Sequence, residues 1–346
     1  MAKEGKKIKE KLIAFLEESK VLVDSKAKEI LNSNVDARFK DLVDYHIDSG
    51  GKRVRASLAL LCCLACGGKK EDALYAAAAI EILHNSTLLI DDIIDHSSWR
   101  RGEETAWKKF GVSIVECLNF IYSSSVFEAS LRSKNPKAVS EKMIEAMKIV
   151  IQGEIMDILF EQNGRRKDNY VQENRYSSVS LEDYLEMVTK KTSILIQKST
   201  EIGCICAGAS EKDIKLFGGY GYNLGVAFQI VDDILDIYGQ KEKFGKAIGQ
   251  DIREGKLGNI LVIYALKDLP KEDRESLLNV LRKEKAYEAD VDKVIKIIKN
   301  TDAKEKSVDL AKKYAELACS NLEKVSGNQW TKLMEGLVDF VIEREK

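Results

Sequence analysis

The sequence predicts an all-α protein, and three features of the chain favour this fold class. Only two prolines, Pro136 and Pro270, occur in 346 residues, and so few helix breakers permit many long helices. No segment shows the apolar and polar alternation of a half-buried strand. Hydrophobic residues make up 45% of the chain, enough for a sizeable core. We expect one multi-helix domain over residues 1–346, because neither a linker nor a short-period repeat is visible.

The first elements can be followed in order. Residues 6–33 predict one or two amphipathic helices, and residues 35–51 predict another that ends at two glycines, a common C-cap. The segment 55–68 is apolar nearly all round, so it should be a buried central helix. The alanine- and leucine-rich segment 71–95 predicts a long helix. HSSWRRGEETAW (residues 96–107) breaks the pattern and predicts a loop.

The second part of the chain continues the helical pattern with two interruptions. Helices are expected at residues 111–132, 138–161, 181–210 and 211–239, and in several charged amphipathic segments after residue 259. The polar residues 163–180 predict a loop, and loops of that length are often functional. The Gly- and Lys-rich residues 241–259 predict a second loop.

Composition and net charge argue against some classes of binding partner. The formal net charge is -1, from 55 Lys+Arg and 56 Asp+Glu, which argues against nucleic acid as the main partner. The N-terminus lacks the apolar core of a signal peptide, and no run reaches about 18 uncharged apolar residues, so we expect no membrane-spanning segment.

Seven cysteines with no secretory signal predict reduced, buried thiols in a cytoplasmic protein. The CxxC at 63–66 has no second pair to complete a zinc site.

Two acidic motifs recur, DDIID at 91–95 and DDILD at 232–236. Residues four apart share one face of a helix, so the first and last aspartates of each motif point the same way. Such carboxylates repel one another unless a cation is present. Mg²⁺ takes one or two carboxylates, several waters and substrate phosphates. A solvated acidic face is the alternative for either motif alone, but each follows an apolar run, so we predict that both bind Mg²⁺.

Basic residues lie near the acidic motifs and near a pair of glycines. They are Lys52, Arg53, Arg55, Arg100, Arg101, Lys190, Lys191, Lys246 and Lys256. Arginine binds phosphate with two parallel hydrogen bonds, whereas lysine supplies a point charge. Any one of these lysines taken singly is more often a surface residue. The set as a whole indicates two phosphorylated ligands, one held through metal and one by side chains alone.

Glu81 and His84 form a Glu-x-x-His pair, which in helical bundles is a di-iron signature when a second copy is present. Neither His46 nor His96 follows a glutamate at that spacing, so a di-iron site is not expected. His84 lies two helical turns before Asp91 on the same face. It is either a donor to a phosphate or a core histidine with its hydrogen bonds satisfied, and the spacing leaves both open.

Taken together, these motifs resemble the trans-isoprenyl diphosphate synthase family, the polyprenyl synthases, and among them the geranylgeranyl diphosphate synthases. The resemblance runs from GGKRVRA at 50–56 to GKAIGQDIREGK at 245–256. The ordered matches between them are EILHNSTLLIDDIID at 81–95 with the RRG that follows, QGEIMD at 152–157, KT at 191–192 and FQIVDDILD at 228–236. The resemblance implies an α-helical bundle around a deep central cavity, usually in a homodimer.

The resemblance also implies the reaction, in which an allylic diphosphate ionises and its cation is attacked by isopentenyl diphosphate, the departed diphosphate then removing a proton. Three Mg²⁺ ions, for which Mn²⁺ can substitute, would be held by Asp91, Asp95 and Asp232, with Asp92, Asp233 and Asp236 in support. Isopentenyl diphosphate would contact Lys52, Arg55, His84 and Arg101. The allylic diphosphate would contact Arg100, Lys191, Gln229, Lys246 and Lys256. Thr192 and Gln229 would stabilise the cation, so Arg100, Lys191, Thr192 and Gln229 are the predicted catalytic residues.

Product length would follow from the residues just before the first acidic motif. In relatives that make short products bulky aromatics often stand there, whereas this chain has Ser86 and Thr87. These small side chains disfavour a C15 product and predict C20, with C25 or longer as the alternative. The floor of the cavity is assigned to Leu83 or to an aromatic residue of a facing helix, Tyr122 or Phe127.

Some positions depart from the family pattern, namely Ala56, Glu104, Trp107, Asn119-Phe120 and the segment 257–259. None of these positions is a predicted metal ligand or phosphate contact, so the departures concern the support of the site and the catalytic rate.

Two other functions stay open. A non-catalytic subunit of a heteromeric synthase usually lacks one acidic motif, and a class I terpene cyclase typically has an NSE/DTE motif in place of the second.

Overall fold

The computed structural model describes residues 2–239 and 248–343, and almost all its regular structure is helical, which confirms the all-α prediction. The helices up to residue 160 are α1 (Ala2–Leu31), α2 (Lys40–Asp48), α3 (Val54–Ala65), α4 (Lys70–Ile94), α5 (Ala106–Phe110), α6 (Val112–Leu131) and α7 (Pro136–Phe160). Those that follow are α8 (Asn169–Asn174), α9 (Leu181–Val188), α10 (Ile194–Ala207), α11 (Glu211–Tyr238), α12 (Gln250–Arg253), α13 (Ile260–Asp268), α14 (Lys271–Leu281), α15 (Glu288–Lys299), α16 (Ala303–Leu322) and α17 (Gln329–Glu343). A 3₁₀ turn covers Ala37–Phe39, and Thr189–Ser193 form a π-helical turn.

All three predicted loops contain short regular elements, and in the loop predicted at 241–259 this element is α12. Residues 96–107 include an antiparallel hairpin of β1 (Trp99–Arg100) and β2 (Glu103–Glu104). Its turn residues, Arg101 and Gly102, both have positive φ, the conformation that suits the twist of a two-residue hairpin. The six-residue α8 interrupts the loop predicted at 163–180. Elements this short bury too few side chains to leave an apolar period in the sequence.

The described chain divides into two compact units. Unit 1 contains the residues up to 148, residues 195–221 and residues 318–338; unit 2 contains residues 149–194, residues 222–317 and the residues from 339 onward. The first acidic motif belongs to unit 1 and the second to unit 2. Each unit is formed by several separate segments of the chain. The single domain over residues 1–346 stays a prediction.

Helix α4 lies in the core of unit 1, where it packs against α1, α3 and α6. Its residues 76–79 are four buried alanines, small side chains that let neighbouring helices approach closely. Among the described helices, α4 is long and apolar enough to cross a membrane, and 67% of its most apolar stretch is buried inside the protein. A buried core helix has the same length and composition, so the expected lack of a membrane-spanning segment stays a prediction.

The predicted burial of the thiols is only partly right. The buried cysteines are Cys62, Cys63, Cys204 and Cys206, the half-buried ones are Cys66 and Cys319, and Cys117 on α6 is exposed. None of the seven is in a disulfide. The prediction is wrong for Cys117, because α6 turns that face towards solvent within unit 1.

Candidate active site

Arg55, in the first turn of α3, meets His84 of α4, and Lys52 lies exposed just before that helix. The Nη1 atom of Arg55 lies 3.2 Å from Nε2 of His84. Burial first, and then the nearby Arg55, lower the pKa of His84 well below its usual range, so its ring is neutral. A guanidinium can only donate, so Nε2 is the acceptor and Nδ1 carries the hydrogen. Its neighbour Arg55 is another predicted phosphate contact. The geometry therefore favours His84 as a hydrogen-bond donor to a phosphate.

The β1–β2 hairpin brings two arginines to the same part of unit 1. Arg101 donates from Nη1 to the carbonyl of Gly50, in the loop before α3. Arg100 donates from Nε to Oδ1 of Asp92 at 2.8 Å. Neighbouring protein groups partly desolvate Arg101, although it stays exposed at the surface, and this, with the nearby Arg53, lowers its pKa to about 10. Lys52, Arg55, His84 and Arg101, called here the basic cluster, therefore favour an anion.

The first acidic motif stands at the end of α4. Asp95 caps the helix, and its N–H bonds to the carbonyl of Asp91 at 2.8 Å, so the two remain one turn apart. The helix therefore ends one residue earlier than predicted. Asp92 is 1% exposed and accepts the hydrogen bond from Arg100. Asp92 is therefore engaged within the protein, and its supporting part in metal binding stays a prediction.

The second acidic motif stands near the end of α11 in unit 2. Asp233 is 4% exposed and accepts hydrogen bonds from the Tyr184 hydroxyl at 2.9 Å, the Gln229 amide at 2.9 Å and the Ile260 N–H at 3.1 Å. Burial raises its pKa well above the usual range. Its oxygens are therefore engaged within the protein, and the supporting part of Asp233 also stays a prediction.

The environment of Asp236 fits a bound cation. Its oxygens accept from the backbone N–H groups of Gln250 at 3.0 Å and Asp251 at 3.3 Å. Burial, and next the charge of Asp251, raise the pKa of Asp236 to about 8, the effect of crowded carboxylates that a hard divalent cation relieves. Within residues 2–239 and 248–343, no group of three or more His, Cys, Asp or Glu side chains is arranged to hold a metal ion. The metal ligand set stays a prediction.

Two predicted allylic contacts, Lys191 and Lys256, meet at Asp157. Lys191 lies 2.5 Å and Lys256 3.3 Å from Oδ2 of Asp157, and Lys191 also pairs with Glu154 at 2.7 Å. Burial acts to raise the pKa of Asp157, but the two lysines hold it below its usual range. The motif QGEIMD pointed to this segment, yet it did not show that its last residue gathers both lysines. Lys246 lies outside the described residues.

The π turn at 189–193 positions Lys191 and its neighbour Thr192. Thr192 donates from Oγ1 to Oε1 of Gln229 at 2.7 Å, so these two predicted residues do lie together. Helix α7 approaches the turn at Gly153, where a Cβ atom would lie 2.2 Å from the backbone nitrogen of Lys191. Only glycine permits this approach, and the residue was not among the predicted site residues.

One of the predicted chain-length residues, Ser86, faces α6. Ser86 is 5% exposed and donates to Oδ1 of Asn119 at 2.6 Å, whereas Thr87 donates to the carbonyl of His84 in its own helix. Asn119 is one of the departures from the family pattern, and the hydrogen bond gives it a partner. Ser86 is thus placed between α4 and α6, whereas the hydrogen bond of Thr87 stays within α4.

The candidates for the cavity floor differ in burial. Leu83 is buried, and so is Tyr122, whose hydroxyl donates to the carbonyl of Val43 at 2.7 Å. Phe127 is 39% exposed. Burial therefore favours Leu83 and Tyr122 over Phe127.

Another departure, Trp107, stabilises the hairpin segment. The Trp107 Nε1 and Thr105 Oγ1 atoms each donate to the carbonyl of Ser97 at 2.7 Å. These bonds close residues 97–107 into one hydrogen-bonded segment that carries Arg100 and Arg101. The tryptophan therefore supports the predicted site without taking part in it.

Known proteins similar to this chain share its length and fold. The family profile described as Polyprenyl synthetase matches residues 36–298. The sequence is 35% identical over 337 residues to the geranylgeranyl diphosphate synthase of Saccharolobus solfataricus, covering 92% of this chain and 97% of that protein. It is 32% identical over 327 residues to the short chain isoprenyl diphosphate synthase of Methanothermobacter thermautotrophicus, covering 94% and 96%. The crystal structure of geranylgeranyl pyrophosphate synthetase from Pyrococcus horikoshii has a TM-score of 0.86 at 30% identity and covers 96% of this chain and 98% of its own. The chain therefore belongs to the polyprenyl synthetase family, as its motifs predicted.

Proposed function

We propose that the protein is a short-chain trans-prenyltransferase that condenses isopentenyl diphosphate with allylic diphosphates to give geranylgeranyl diphosphate (C20). Its family consists of prenyl-transferring enzymes, and relatives at 32–35% identity are named short-chain and geranylgeranyl diphosphate synthases. The observation that carries the proposal is the basic cluster beside the first acidic motif, both within unit 1. Clustered cationic side chains beside carboxylates that favour a metal suit a diphosphate ligand.

The basic cluster would hold isopentenyl diphosphate. Lys52 and Arg101 supply exposed cationic groups, and Arg55 supplies a guanidinium for two parallel hydrogen bonds. His84 would add the hydrogen of its Nδ1 atom, since Arg55 already occupies Nε2. The substrate is thereby held by side chains alone, with its double bond left to react.

The residues of unit 2 would act on the allylic diphosphate. Lys191 and Lys256, held by Asp157, place positive charge where the diphosphate departs, which stabilises the developing negative charge. The Thr192 hydroxyl and the Gln229 carbonyl would orient their dipoles towards the allylic cation. No side chain has to act as a nucleophile.

The family uses divalent metal ions. We propose three Mg²⁺ ions per site, with Mn²⁺ as a substitute, held by Asp91, Asp95 and Asp232. Asp92, Asp233 and Asp236 would support them, as their buried contacts suggest. When bound, the metal would neutralise the charge of the diphosphate leaving group.

The test is an elongation assay with the purified full-length protein, Mg²⁺ and radiolabelled isopentenyl diphosphate. Dimethylallyl, geranyl and farnesyl diphosphates serve as separate primers, and chromatography identifies the products. We expect C20 as the main product. No elongation of any primer would contradict the synthase function and favour a non-catalytic subunit, whereas cyclic hydrocarbons would favour a cyclase. A main product of C25 or more would correct the product length alone.

Ser86→Phe is expected to shorten the main product from C20 to C15, because a ring beside Asn119 would fill space that the growing chain needs. Product chromatography with geranyl diphosphate as primer measures the change. Ser86→Ala removes the hydrogen bond to Asn119 without adding bulk, so this control should still give C20. An unchanged product from Ser86→Phe, or a shortened one from Ser86→Ala, would contradict this placement of the wall.

We propose that the protein is a cytoplasmic homodimer with no nucleic-acid partner and no membrane-spanning segment. Helix α6 supports the dimer, because it carries a stripe of exposed apolar side chains at helical spacing. Phe120 is 76% exposed, Leu131 67% and Phe127 39%. Large exposed aromatic residues that share a face are typical of interfaces.

Phe120→Asp is expected to weaken the dimer at least about tenfold, since a charge would replace an apolar contact in the interface. Light scattering over a dilution series measures the dissociation constant. Val21→Asp is the matched control, because Val21 on α1 is also strongly exposed, at 69%. Equal effects of the two substitutions, or no effect of either, would place the interface elsewhere.

A further inference from the structure

Two buried charged residues of unit 1, Arg53 and Glu81, are not used by the proposed mechanism. The Arg53 side chain is 0% and that of Glu81 is 1% exposed, and Nη1 of Arg53 lies 3.2 Å from Oε1 of Glu81. Isolated charges are costly to bury, so each must be compensated by specific partners. Glu81 also belongs to the Glu-x-x-His pair, which has no second copy in the sequence to form a di-iron site. In the structure the partner of Glu81 is Arg53.

Arg53 ties three helices to the glycine loop in front of α3. Its Nε donates to Asp24 of α1 at 2.5 Å, and its Nη2 donates to the carbonyl of Ile47 in α2 at 2.7 Å. Its Nη1 is shared between Glu81 of α4 and the carbonyl of Gly50 at 2.8 Å. The planar fork of a guanidinium is suited to such fixed, divergent acceptors.

The backbone at Arg53 is as restricted as its side chain. Its φ is 52° and its ψ is 32°, in the left-handed region that non-glycine residues seldom adopt unless their surroundings hold them there. Helix α3 begins at the next residue. Lys52 and Arg55 flank Arg53, so its conformation sets the direction in which both leave the backbone.

The Gly50 carbonyl joins this arrangement to the hairpin. It accepts from Arg53 and also from Arg101, so one oxygen fixes a buried and an exposed arginine. A Cβ atom on Gly51 would lie 2.7 Å from Nη1 of Arg53 and 2.9 Å from Cζ of Arg101. The loop is therefore packed tightly between the two guanidinium groups.

We propose that the Arg53–Glu81 pair is a positioning device that holds the basic cluster in the geometry needed to bind isopentenyl diphosphate. Neither residue touches the substrate, because both side chains are fully buried. The pair acts through the glycine loop, which carries Lys52 and receives Arg101. This inference rests on the proposed function, because it concerns the isopentenyl diphosphate subsite.

Arg53→Lys tests the proposal, because lysine keeps the charge but loses the fork that reaches several acceptors at once. We expect the KM for isopentenyl diphosphate to rise about tenfold or more. The KM for farnesyl diphosphate should stay within about twofold of the wild-type value, because Arg53 donates to none of its proposed contacts and Arg100, the one beside the hairpin turn, is held by Asp92. Glu81→Gln should shift the same KM in the same direction, and it serves as the second variant if Arg53→Lys fails to fold.

Lys198→Met is the matched control. Lys198 is 4% exposed and pairs with Glu145 at 2.9 Å and Glu201 at 3.3 Å, so this variant also breaks a buried ion network in unit 1. It should lower the free energy of unfolding without a selective change in either KM. An unchanged KM for isopentenyl diphosphate in Arg53→Lys, or parallel changes of both KM values, would overturn the proposal.

Calorimetric titration with inorganic diphosphate, in the absence of divalent ions, separates this inference from the proposed function. The probe needs no turnover. The wild-type protein could fail to elongate any primer and still bind the probe more tightly than Arg53→Lys does. That result would contradict the proposed synthase function but support the positioning role of Arg53. If elongation occurs and the wild type and Arg53→Lys bind the probe equally, the proposed synthase function is supported and the positioning role of Arg53 is contradicted.

Discussion

Asp91→Ala is expected to lower kcat/KM about a thousandfold, roughly 4 kcal/mol of transition-state stabilisation. Asp91 lies in the last turn of α4, where alanine is compatible with the helix, so the fold should persist. The loss would come from removing a carboxylate that faces the metal and the allylic diphosphate in the proposed site. Steady-state rates at saturating Mg²⁺ measure it, and circular dichroism verifies that the helices remain.

Glu71→Ala is the control for this result. Glu71 is an exposed carboxylate in the first turn of the same helix, so its removal changes the net charge of α4 equally. We expect its kcat/KM to match the wild type. If Asp91→Ala retains wild-type activity, or if Glu71→Ala loses as much, the first acidic motif does not bind the reacting diphosphate through metal.

Gly153→Ala is expected to destabilise the protein by about 3 kcal/mol and to abolish most activity. The new Cβ would lie 2.2 Å from the Lys191 nitrogen and 2.6 Å from the Lys190 carbonyl carbon. Both are backbone atoms, so no side-chain rotation can relieve the overlap. Helix α7 and the π turn must separate, which takes Lys191 away from Asp157. Urea unfolding and steady-state kinetics measure the two effects.

Gly5→Ala is the counterpart to Gly153→Ala. Gly5 lies within α1, and a Cβ atom there would meet nothing within 4 Å. The substitution should leave stability unchanged or raise it slightly, because alanine favours the helix. Wild-type stability and activity in Gly153→Ala would show that the two segments are less tightly packed than the structure has them.

Features that depend on neighbouring residues were predictable from the sequence. The all-α class follows from the scarcity of proline and from helical periodicity, both of which are local. The second aspartate of each DDxxD motif, Asp92 and Asp233, is buried, and the supporting part that the family resemblance implied for both stays a prediction. The hairpin, α8 and the π turn were missed, because a few residues with no periodic core leave no such signal.

Partners that are distant in sequence were not predictable. Lys191 and Asp157 are 34 residues apart, and Arg53 and Asp24 are 29 apart. Spacing rules cover contacts within a helix or a turn, so they could not show which residues hold Lys191. The same limit applies to Glu81, whose buried partner Arg53 lies 28 residues away in the sequence.

The π turn at Thr189–Ser193 makes the number of residues in this segment matter as much as their identity. A π turn contains one more residue than the α-helix around it, and each residue of an α-helix turns the chain by about 100°. A deletion of one residue would restore a regular helix and swing Lys191 away from Asp157 without changing any side chain. In this segment a change of length should therefore disturb the position of Lys191 more than a change of residue type does.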